Sequence, residues 1–164
     1  MPAPGTNIAP DNRKTSGKMT TQQADLERRG SFPFFTTEKV RFGDIDRQNH
    51  VNNLAICSYI ECGRVEMREV NFPEIARDPA NAWLVVHFEV SFMASTGYPG
   101  TVDVGTAVLR IGTSSYVLGH GVFAGDTCLA TARTTTVFGD RAAGGKRPIP
   151  DNLRAELEKL RARV

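Results

Sequence analysis

The chain has 164 residues and a mass of 17.9 kDa, the size of one domain, and its 40% apolar residues suffice for a hydrophobic core. Lys and Arg outnumber Asp and Glu by 20 to 18, but the excess lies at the two ends, and residues 31–140 carry eight bases and twelve acids. Because a nucleic-acid groove needs clustered bases, this distribution argues against nucleic-acid binding.

The sequence predicts no targeting segment and no cysteine chemistry. Because no run of about 18 apolar residues occurs, no membrane-spanning segment is predicted. The N-terminal residues lack the apolar centre of a signal peptide, so we expect a cytoplasmic protein. The spacing of Cys57, Cys62 and Cys128 indicates neither a disulfide nor a metal site, and each is expected to be a small buried residue.

The first third of the chain divides into a leader, a strand and a loop. Residues 1–30 contain few apolar side chains and are predicted to be a flexible leader, ahead of a single domain over residues 31–164. Residues 34–42 are rich in aromatic and β-branched types, which favour a strand. Residues 43–50 are polar and contain turn formers, so they are predicted to form a loop.

A long helix is predicted after this loop. Asn52 or Asn53 can cap it, because a short side-chain oxygen accepts a hydrogen bond from a first-turn amide. Apolar residues then recur every three or four positions and form one stripe: Ile56, Ile60, Gly63, Met67 and Val70. Further apolar residues flank the stripe, which indicates a helix covered on more than one side, and Pro73 marks its end.

Residues 82–138 are predicted to form four antiparallel strands in succession, separated by turns at 97–100, 112–113 and 125–126. The first of these strands alternates strictly, with one fully apolar face made of Leu84, Val86, Phe88, Val90 and Phe92. A loop over residues 139–150 leads to a short helix over residues 151–164. The order predicts an α+β fold: a five-stranded antiparallel sheet wraps around one central helix, and a short C-terminal helix follows.

The most specific motif joins the first strand to the long helix. It reads Val40-Arg41-Phe42-Gly43-Asp44-Ile45-Asp46-Arg47-Gln48-Asn49-His50-Val51-Asn52-Asn53. A strand, Asp-x-Asp and His-Val-Asn-Asn at the start of a helix resemble the hot-dog-fold acyl-CoA thioesterases of the 4-hydroxybenzoyl-CoA thioesterase type. Similar stretches follow at residues 59–66, 92–104, 111–115 and 147–150, so the resemblance covers about residues 34–155.

This resemblance implies a hot-dog domain that hydrolyses an acyl-CoA thioester to a free acid and coenzyme A. In relatives with this arrangement the second Asp of the loop is the catalytic carboxylate, which corresponds to Asp46 here. Such a carboxylate either attacks the carbonyl or takes a proton from water, and both roles stay open. The main-chain amide of Asn53, at the positive end of the helix, can polarise the carbonyl. No metal is expected, and no cofactor apart from the coenzyme A of the substrate.

Three residues are candidate substrate contacts: His50, Val51 and Ser115. His50 either orients the substrate or holds the loop. Ser115 follows a hairpin turn that approaches the thioester or the pantetheine in similar proteins, and stabilisation of that turn is the alternative.

Because the sheet has apolar residues on both faces, one helix cannot cover it, and a homodimer or homotetramer is predicted. Two sheets side by side would place Asp46 of one subunit near the helix end of the other.

Other polar residues have plainer interpretations. Asp44 is expected to be a cap or turn residue. Glu61 and Glu66 are expected to be solvated or ion-paired, and His87 and His120 to serve packing or an interface. Arg110, Lys146 and Arg147 are loose candidates for contacts to the coenzyme A phosphates. Relatives often have Gly where Asn49 stands, and Asn tolerates the positive φ that this position can require.

Two rival functions are compatible with the same fold. A hot-dog enoyl-CoA hydratase or dehydratase shares the acyl-thioester ligand, although similar catalytic signatures use a differently placed His with an acidic residue. A non-catalytic acyl-CoA-binding module keeps the pocket without turnover.

Overall fold

The computed structural model describes residues 24–163, and its elements follow the predicted order. The helices are α1 (Asn53–Asn71), α2 (Pro73–Arg77) and α3 (Asp151–Lys159). The strands are β1 (Phe34–Lys39), β2 (Asn81–Phe92), β3 (Thr101–Ile111), β4 (Ser115–Ala124), β5 (Thr127–Asp140) and β6 (Gly145–Lys146).

All the strand pairings are antiparallel, in the order β1-β3-β4-β5-β2, and the two-residue β6 pairs with the end of β5. Helix α1 lies on one face of this sheet, where it contacts β1, β3 and β4. The predicted α+β architecture, with a five-stranded sheet, a long central helix and a short C-terminal helix, is confirmed; α2 and β6 are additions that the sequence did not predict.

The face of α1 that packs on the sheet follows the predicted stripe over most of its length. Ile56, Ile60 and Met67 are buried, and a Cβ at Gly63 would lie 2.8 Å from Cγ1 of Val104, so only glycine lets the helix approach β3 this closely. Val70 is the exception, because its side chain is 60% exposed. The helix ends one residue later, and the side chain of Phe72 is buried instead.

The predicted alternation of β2 is wrong, because a β-bulge interrupts the strand between Val85 and His87. Val85 pairs with Thr136 and Phe88 with Thr134, so Val85 and Phe88 lie on the same face. A bulge adds one residue to one strand and therefore reverses the faces on either side of it. The face of β2 on the α1 side consists of Trp83, Val85, Phe88, Val90 and Phe92.

The opposite face of the sheet is covered by residues that precede β1. Leu26 and Phe32 are buried, and a Cβ at Gly105 would lie 2.5 Å from Cγ of Phe32. Arg29 donates a hydrogen bond of 2.8 Å to Oδ2 of Asp103. Residues 24–30 are thus packed on the domain and differ from the predicted flexible leader, whose residues 1–23 lie outside the described part of the chain.

Cys57, Cys62 and Cys128 are free thiols, as expected, but all three are half-buried and not fully enclosed. Across residues 24–163, no helix combines the length and the apolar character needed to span a bilayer.

Candidate active site

The loop between β1 and α1 folds back on itself through a turn at residues 46–49. The amide of Asp46 donates to the carbonyl of His50 over 2.8 Å, and the amide of Asn49 donates to the carbonyl of Asp46 over 3.0 Å. Ile45 and Val51 form an isolated antiparallel bridge below the turn. Asn49 has φ of 63°, which is the left-handed conformation expected at this position and explains why Gly or Asn suits it.

The Asp46 carboxylate is held by the amides of its own loop. Its Oδ1 accepts hydrogen bonds from the amide of Gln48 at 2.8 Å and from the amide of His50 at 3.2 Å. No donor within residues 24–163 reaches Oδ2, and the side chain is exposed in the single chain. One carboxylate oxygen is therefore oriented by the backbone while the other is free to meet a substrate.

The N-terminus of α1 supplies hydrogen-bond donors beside this loop. Asn52 is the capping residue, because its Oδ1 accepts from the amide of Ala55 at 2.8 Å. Asn53 is the first helical residue, and none of the hydrogen bonds in the described chain uses its amide or that of Leu54. These two N–H groups lie at the positive end of the helix dipole.

A recess of about 450 Å³ lies at this end of α1, and we call it the α1 recess. Four predicted site residues line it, namely Asp46, His50, Val51 and Asn53. Apolar surface comes from Ile56 of α1, Phe92 of β2 and Leu129 of β5. The recess thus combines a carboxylate, unpaired amides and an apolar wall, which is the chemistry required to bind and polarise an acyl group.

Ser115, the fifth predicted site residue, does not line the α1 recess within one chain. It begins β4 and pairs with Val137, whereas the recess lies near the row that joins Phe92, Ala130 and Val122. Seven residues separate Ser115 from Val122 along β4, a span of about 23 Å at 3.3 Å per residue. Its carbonyl accepts from the amide of Gly112 at 2.7 Å and so closes the hairpin turn.

Tyr59 and Asp44 form a hydrogen-bonded pair beneath the loop, and the sequence did not predict this pair as part of the site. Tyr59, buried on α1, donates a hydrogen bond of 2.6 Å to Oδ2 of Asp44, and the amide of Arg41 donates to the same oxygen at 2.8 Å. Burial alone would raise the pKa of Asp44, but these hydrogen bonds and the Arg41 charge outweigh it, and the pKa lies below its ordinary value. Burial and the Asp44 carboxylate both raise the pKa of Tyr59, so its hydroxyl remains a donor.

The loop over residues 93–100 is a second element that the sequence did not link to the site. The carbonyl of Thr96 accepts from the amide of Val51 at 2.8 Å, and Ala94, Ser95 and Thr96 line the α1 recess. The turn formers in this stretch predicted a turn, but no local pattern indicates which distant loop a turn packs against.

His120 and Glu61 have structural partners outside the recess. His120 is buried between Thr106 Oγ1 at 3.2 Å and Thr134 Oγ1 at 3.1 Å, as expected for a packing residue. Burial, assisted by the Arg64 charge, lowers the pKa of His120 to about 3. Glu61 lies 3.5 Å from Arg64 as an ion pair, in agreement with the prediction.

Within residues 24–163 no three His, Cys, Asp or Glu side chains cluster closely enough to hold a metal, and the expectation of a metal-free reaction stays a prediction.

Comparison with known proteins assigns this chain to a family. The model of the thioesterase-like superfamily matches residues 40–157, which is more than half of the chain and includes both the Asp46 loop and α1. The chain belongs to the thioesterase-like superfamily. The resemblance found in the sequence is thereby confirmed at the level of the family.

Similar proteins were found both by sequence and by structure. A 1,4-dihydroxy-2-naphthoyl-CoA hydrolase from Nostoc punctiforme is 25% identical over 131 residues, which cover 78% of this chain and 88% of that protein. A Thermus thermophilus thioesterase complexed with coenzyme A and Zn is 27% identical, with a TM-score of 0.70 over 79% of this chain and 95% of that one. The PA5185 protein from Pseudomonas aeruginosa is 23% identical, with a TM-score of 0.76 over 82% and 96% of the two chains.

Proposed function

We propose that this member of the thioesterase-like superfamily hydrolyses an acyl-CoA thioester to a free acid and coenzyme A, with Asp46 as the catalytic carboxylate. Family membership and the two relatives described as a CoA hydrolase and a CoA-bound thioesterase support the reaction class. The single observation that carries the proposal is that Asp46 and the unpaired amide of Asn53 line the same recess.

The carbonyl oxygen of the thioester is polarised at the start of α1. The Asn53 N–H points out of the helix end, and the helix dipole adds positive potential where the oxygen gains charge. Removal of a single oxyanion-hole donor typically costs about 10²–10³-fold in kcat. The contribution of Asn53 therefore comes from its backbone, and its side chain is dispensable.

The Asp46 carboxylate acts on the acyl carbon from the loop. In one route its Oδ2 bonds to the carbonyl carbon, the C–S bond breaks, coenzyme A leaves as a thiol after protonation, and water cleaves the resulting anhydride. In the other route Oδ2 takes a proton from the attacking water. Both routes use the orientation set by the hydrogen bonds from Gln48 and His50 to Oδ1.

His50 and Val51 are proposed to contact the acyl group. Val51 is buried beside the apolar wall of the α1 recess, and its amide is already bonded to Thr96, so it offers only its side chain. The His50 side chain lines the recess while its amide and carbonyl are both engaged with Asp46. Its ring is thus placed to orient a substrate without disturbing the loop.

The active assembly is proposed to be at least a homodimer formed along β2. In the described sheet β2 lies at the edge and exposes apolar side chains that are 39–60% accessible: Leu84, Val85, Val86, Phe88 and Phe92. An edge strand with this composition is a template for pairing with a second chain. Phe92 belongs both to this strand and to the α1 recess, so a partner on β2 adjoins the recess.

Such a dimer gives Ser115 a role across subunits. If two β2 strands pair antiparallel, the beginning of one strand lies beside the end of the other. Ser115 pairs with Val137, which pairs with Leu84 near the beginning of β2. Ser115 of one copy therefore approaches the end of the partner sheet that carries the α1 recess, as a substrate contact supplied in trans.

The proposal is tested by measuring free thiol release from short-chain, long-chain and aromatic acyl-CoA substrates. Asp46→Asn keeps the shape and the Oδ1 acceptor of the side chain but removes its charge, and is expected to lower kcat at least about 100-fold. Asp25→Asn is the matched control, because Oδ1 of Asp25 also accepts from an amide two residues later, at 3.0 Å, and Asp25 does not line the recess.

Three outcomes would contradict the proposal. An Asp46→Asn rate equal to that of wild type removes Asp46 from the chemistry. Hydration of an enoyl-CoA without thiol release indicates the hydratase or dehydratase alternative. Tight acyl-CoA binding without turnover indicates a binding module.

A further inference from the structure

We propose that Tyr59 is a positioning residue that acts through Asp44 to hold the Asp46 loop against the N-terminus of α1. The inference rests on the proposed function of Asp46. It explains how an exposed loop keeps its carboxylate at a fixed place beside the helix amides. Near-attack geometry is demanding, and a displacement of about 1 Å can cost about 100-fold in rate.

Tyr59 lies on the face of α1 that meets the β1–α1 loop. It is fully buried among core residues of β3, β4 and β5, in the second turn of α1, and seven residues after the capping residue Asn52. Seven residues make two helical turns, so Asn52 and Tyr59 lie on the same face of α1. Both side chains face the β1–α1 loop, and both bond to Asp44.

Asp44 is attached to α1 through both its side chain and its main chain. Its Oδ2 accepts from Tyr59 Oη at 2.6 Å, and its carbonyl oxygen accepts from the amide and from Nδ2 of Asn52 at 2.8 and 2.7 Å. The main chain of Asp44 is thus bound to the capping residue Asn52, and its side chain is bound to Tyr59 in the second turn of the same helix. An O–H group bonded to a carboxylate at this distance is a charge-assisted hydrogen bond, which is about twice as strong as a neutral one.

Asp44 also constrains the position of Asp46. Only Ile45 separates them, and Ile45 is bridged to Val51 at the base of the turn. Asp44 therefore fixes the chain immediately before the turn that presents the carboxylate. Without the Tyr59 hydroxyl, the carboxylate of Asp44 is left half-buried with fewer donors, and we expect the loop to shift towards solvent.

The test is Tyr59→Phe, which removes only the hydroxyl. We expect kcat for thiol release to fall about 10–100-fold while KM changes less than about threefold, since the loop position alters transition-state geometry more than substrate binding. In the Asp46→Asn background, Tyr59→Phe is expected to cause no further loss, because the hydroxyl acts through Asp46. A loss of equal size in both backgrounds would mean a general structural role and would overturn the inference.

Tyr116→Phe is the matched control. Tyr116 is as deeply buried as Tyr59, and its hydroxyl has no partner among the described residues, so its removal tests the loss of a buried phenol at the far end of the sheet. We expect Tyr116→Phe to retain wild-type kcat. Denaturant midpoints of both variants, measured in parallel, separate loss of activity from loss of folded protein.

Hydrogen exchange provides a readout that does not depend on activity. The amides of Gln48, His50 and Val51 are hydrogen-bonded within the loop region, and their exchange is expected to rise in Tyr59→Phe while strand amides of β4 stay protected. Unchanged loop exchange overturns the inference, and so does faster exchange with unaltered kcat. If the wild-type protein releases no thiol from any acyl-CoA, the proposed function fails, and the exchange result still decides whether Tyr59 holds the loop.

Discussion

The carbonyl of Asp44 accepts two hydrogen bonds from Asn52, one from its amide at 2.8 Å and one from its Nδ2 at 2.7 Å. The Oδ1 of the same Asn52 side chain caps α1 through the amide of Ala55. The Asn52 side chain therefore bonds both to the loop, at Asp44, and to the first turn of α1, at Ala55. Asn fits this position because its Nδ2 donates to Asp44 while its Oδ1 accepts from Ala55, and the acceptor-only carboxylate of Asp cannot reproduce the first of these bonds.

Substitutions of Asn52 separate these two tasks. Asn52→Asp keeps the capping acceptor and loses the donor to Asp44, whereas Asn52→Ala loses both. We expect Asn52→Ala to lower the free energy of unfolding by about 1–2 kcal/mol and Asn52→Asp by less, since a lost cap alone costs about 1 kcal/mol. Urea unfolding measures both. Equal destabilisation by the two variants would contradict this order.

The buried His120 predicts an acid-sensitive fold. Its pKa is about 3 in the folded state and near 6.5 when the chain unfolds, so the unfolded chain binds one more proton between these pH values. Stability from this group is complete above about pH 6.5 and falls by about 1.4 kcal/mol per pH unit as the pH is lowered towards 3.

Comparison of His120→Gln with wild type isolates this effect from the titration of carboxylates. The variant is expected to be less stable at pH 7, because His120 bonds to Thr106 and Thr134, but its stability should fall less steeply between pH 6 and pH 4. His87→Gln, at an exposed position, is the control for replacing a histidine. Parallel slopes for wild type and His120→Gln would contradict the assignment of a neutral buried imidazole.

The exposed edge of β2 predicts an assembly that a single charge can disrupt. Val86 lies at the bulge and is 60% exposed, and Val70 at the end of α1 is exposed to the same extent. Light scattering should give at least twice the chain mass of 17.9 kDa for wild type. Val86→Lys is expected to shift the mass towards the monomer and to reduce thiol release, because the α1 recess adjoins β2.

Val70→Lys is the matched control and is expected to leave the mass unchanged. A monomeric wild-type protein with full activity would remove the proposed β2 interface. A Val86→Lys protein that stays dimeric would place the interface on a different face.

Different parts of this molecule were predictable to different degrees. The Asp46 loop and the start of α1 are encoded locally, because turn formers, a capping Asn and the helical stripe are consecutive in sequence, and the structure places Asp46, His50, Val51 and Asn53 around one recess. The β-bulge could not be predicted, since an alternating apolar pattern does not reveal an inserted residue until the partner strand is known.

Long-range contacts could not be predicted either, because they depend on residues that are distant in the sequence. Leu26 appears isolated in a polar stretch, yet it is buried because glycines on distant strands leave room for it. Tyr59 reads as one more apolar residue of a helix body, and its hydrogen bond to Asp44 joins residues 15 positions apart. Local pattern indicates that such residues are buried, but it does not specify their partners.

The main-chain amide of Asn53 can be removed without breaking the helix, which makes its proposed role directly testable. Proline is favoured at the first helical position, where its missing N–H has no intrahelical partner. The preceding Asn52 has φ of −70° and ψ of 155°, a conformation that a following proline accepts. Asn53→Pro should therefore fold with nearly wild-type stability and lose about 10²–10³-fold in kcat.

Asn53→Ala completes this experiment, because it deletes the side chain and keeps the amide. It is expected to retain most of the wild-type kcat, so the ratio between Asn53→Pro and Asn53→Ala measures the N–H group itself. Urea midpoints establish that both variants are folded at the assay temperature. If the two variants lose the same activity, the side chain of Asn53 matters and the amide does not. If neither loses activity, the thioester carbonyl is polarised by another group, and the amide of Leu54 is the next donor along the same helix end.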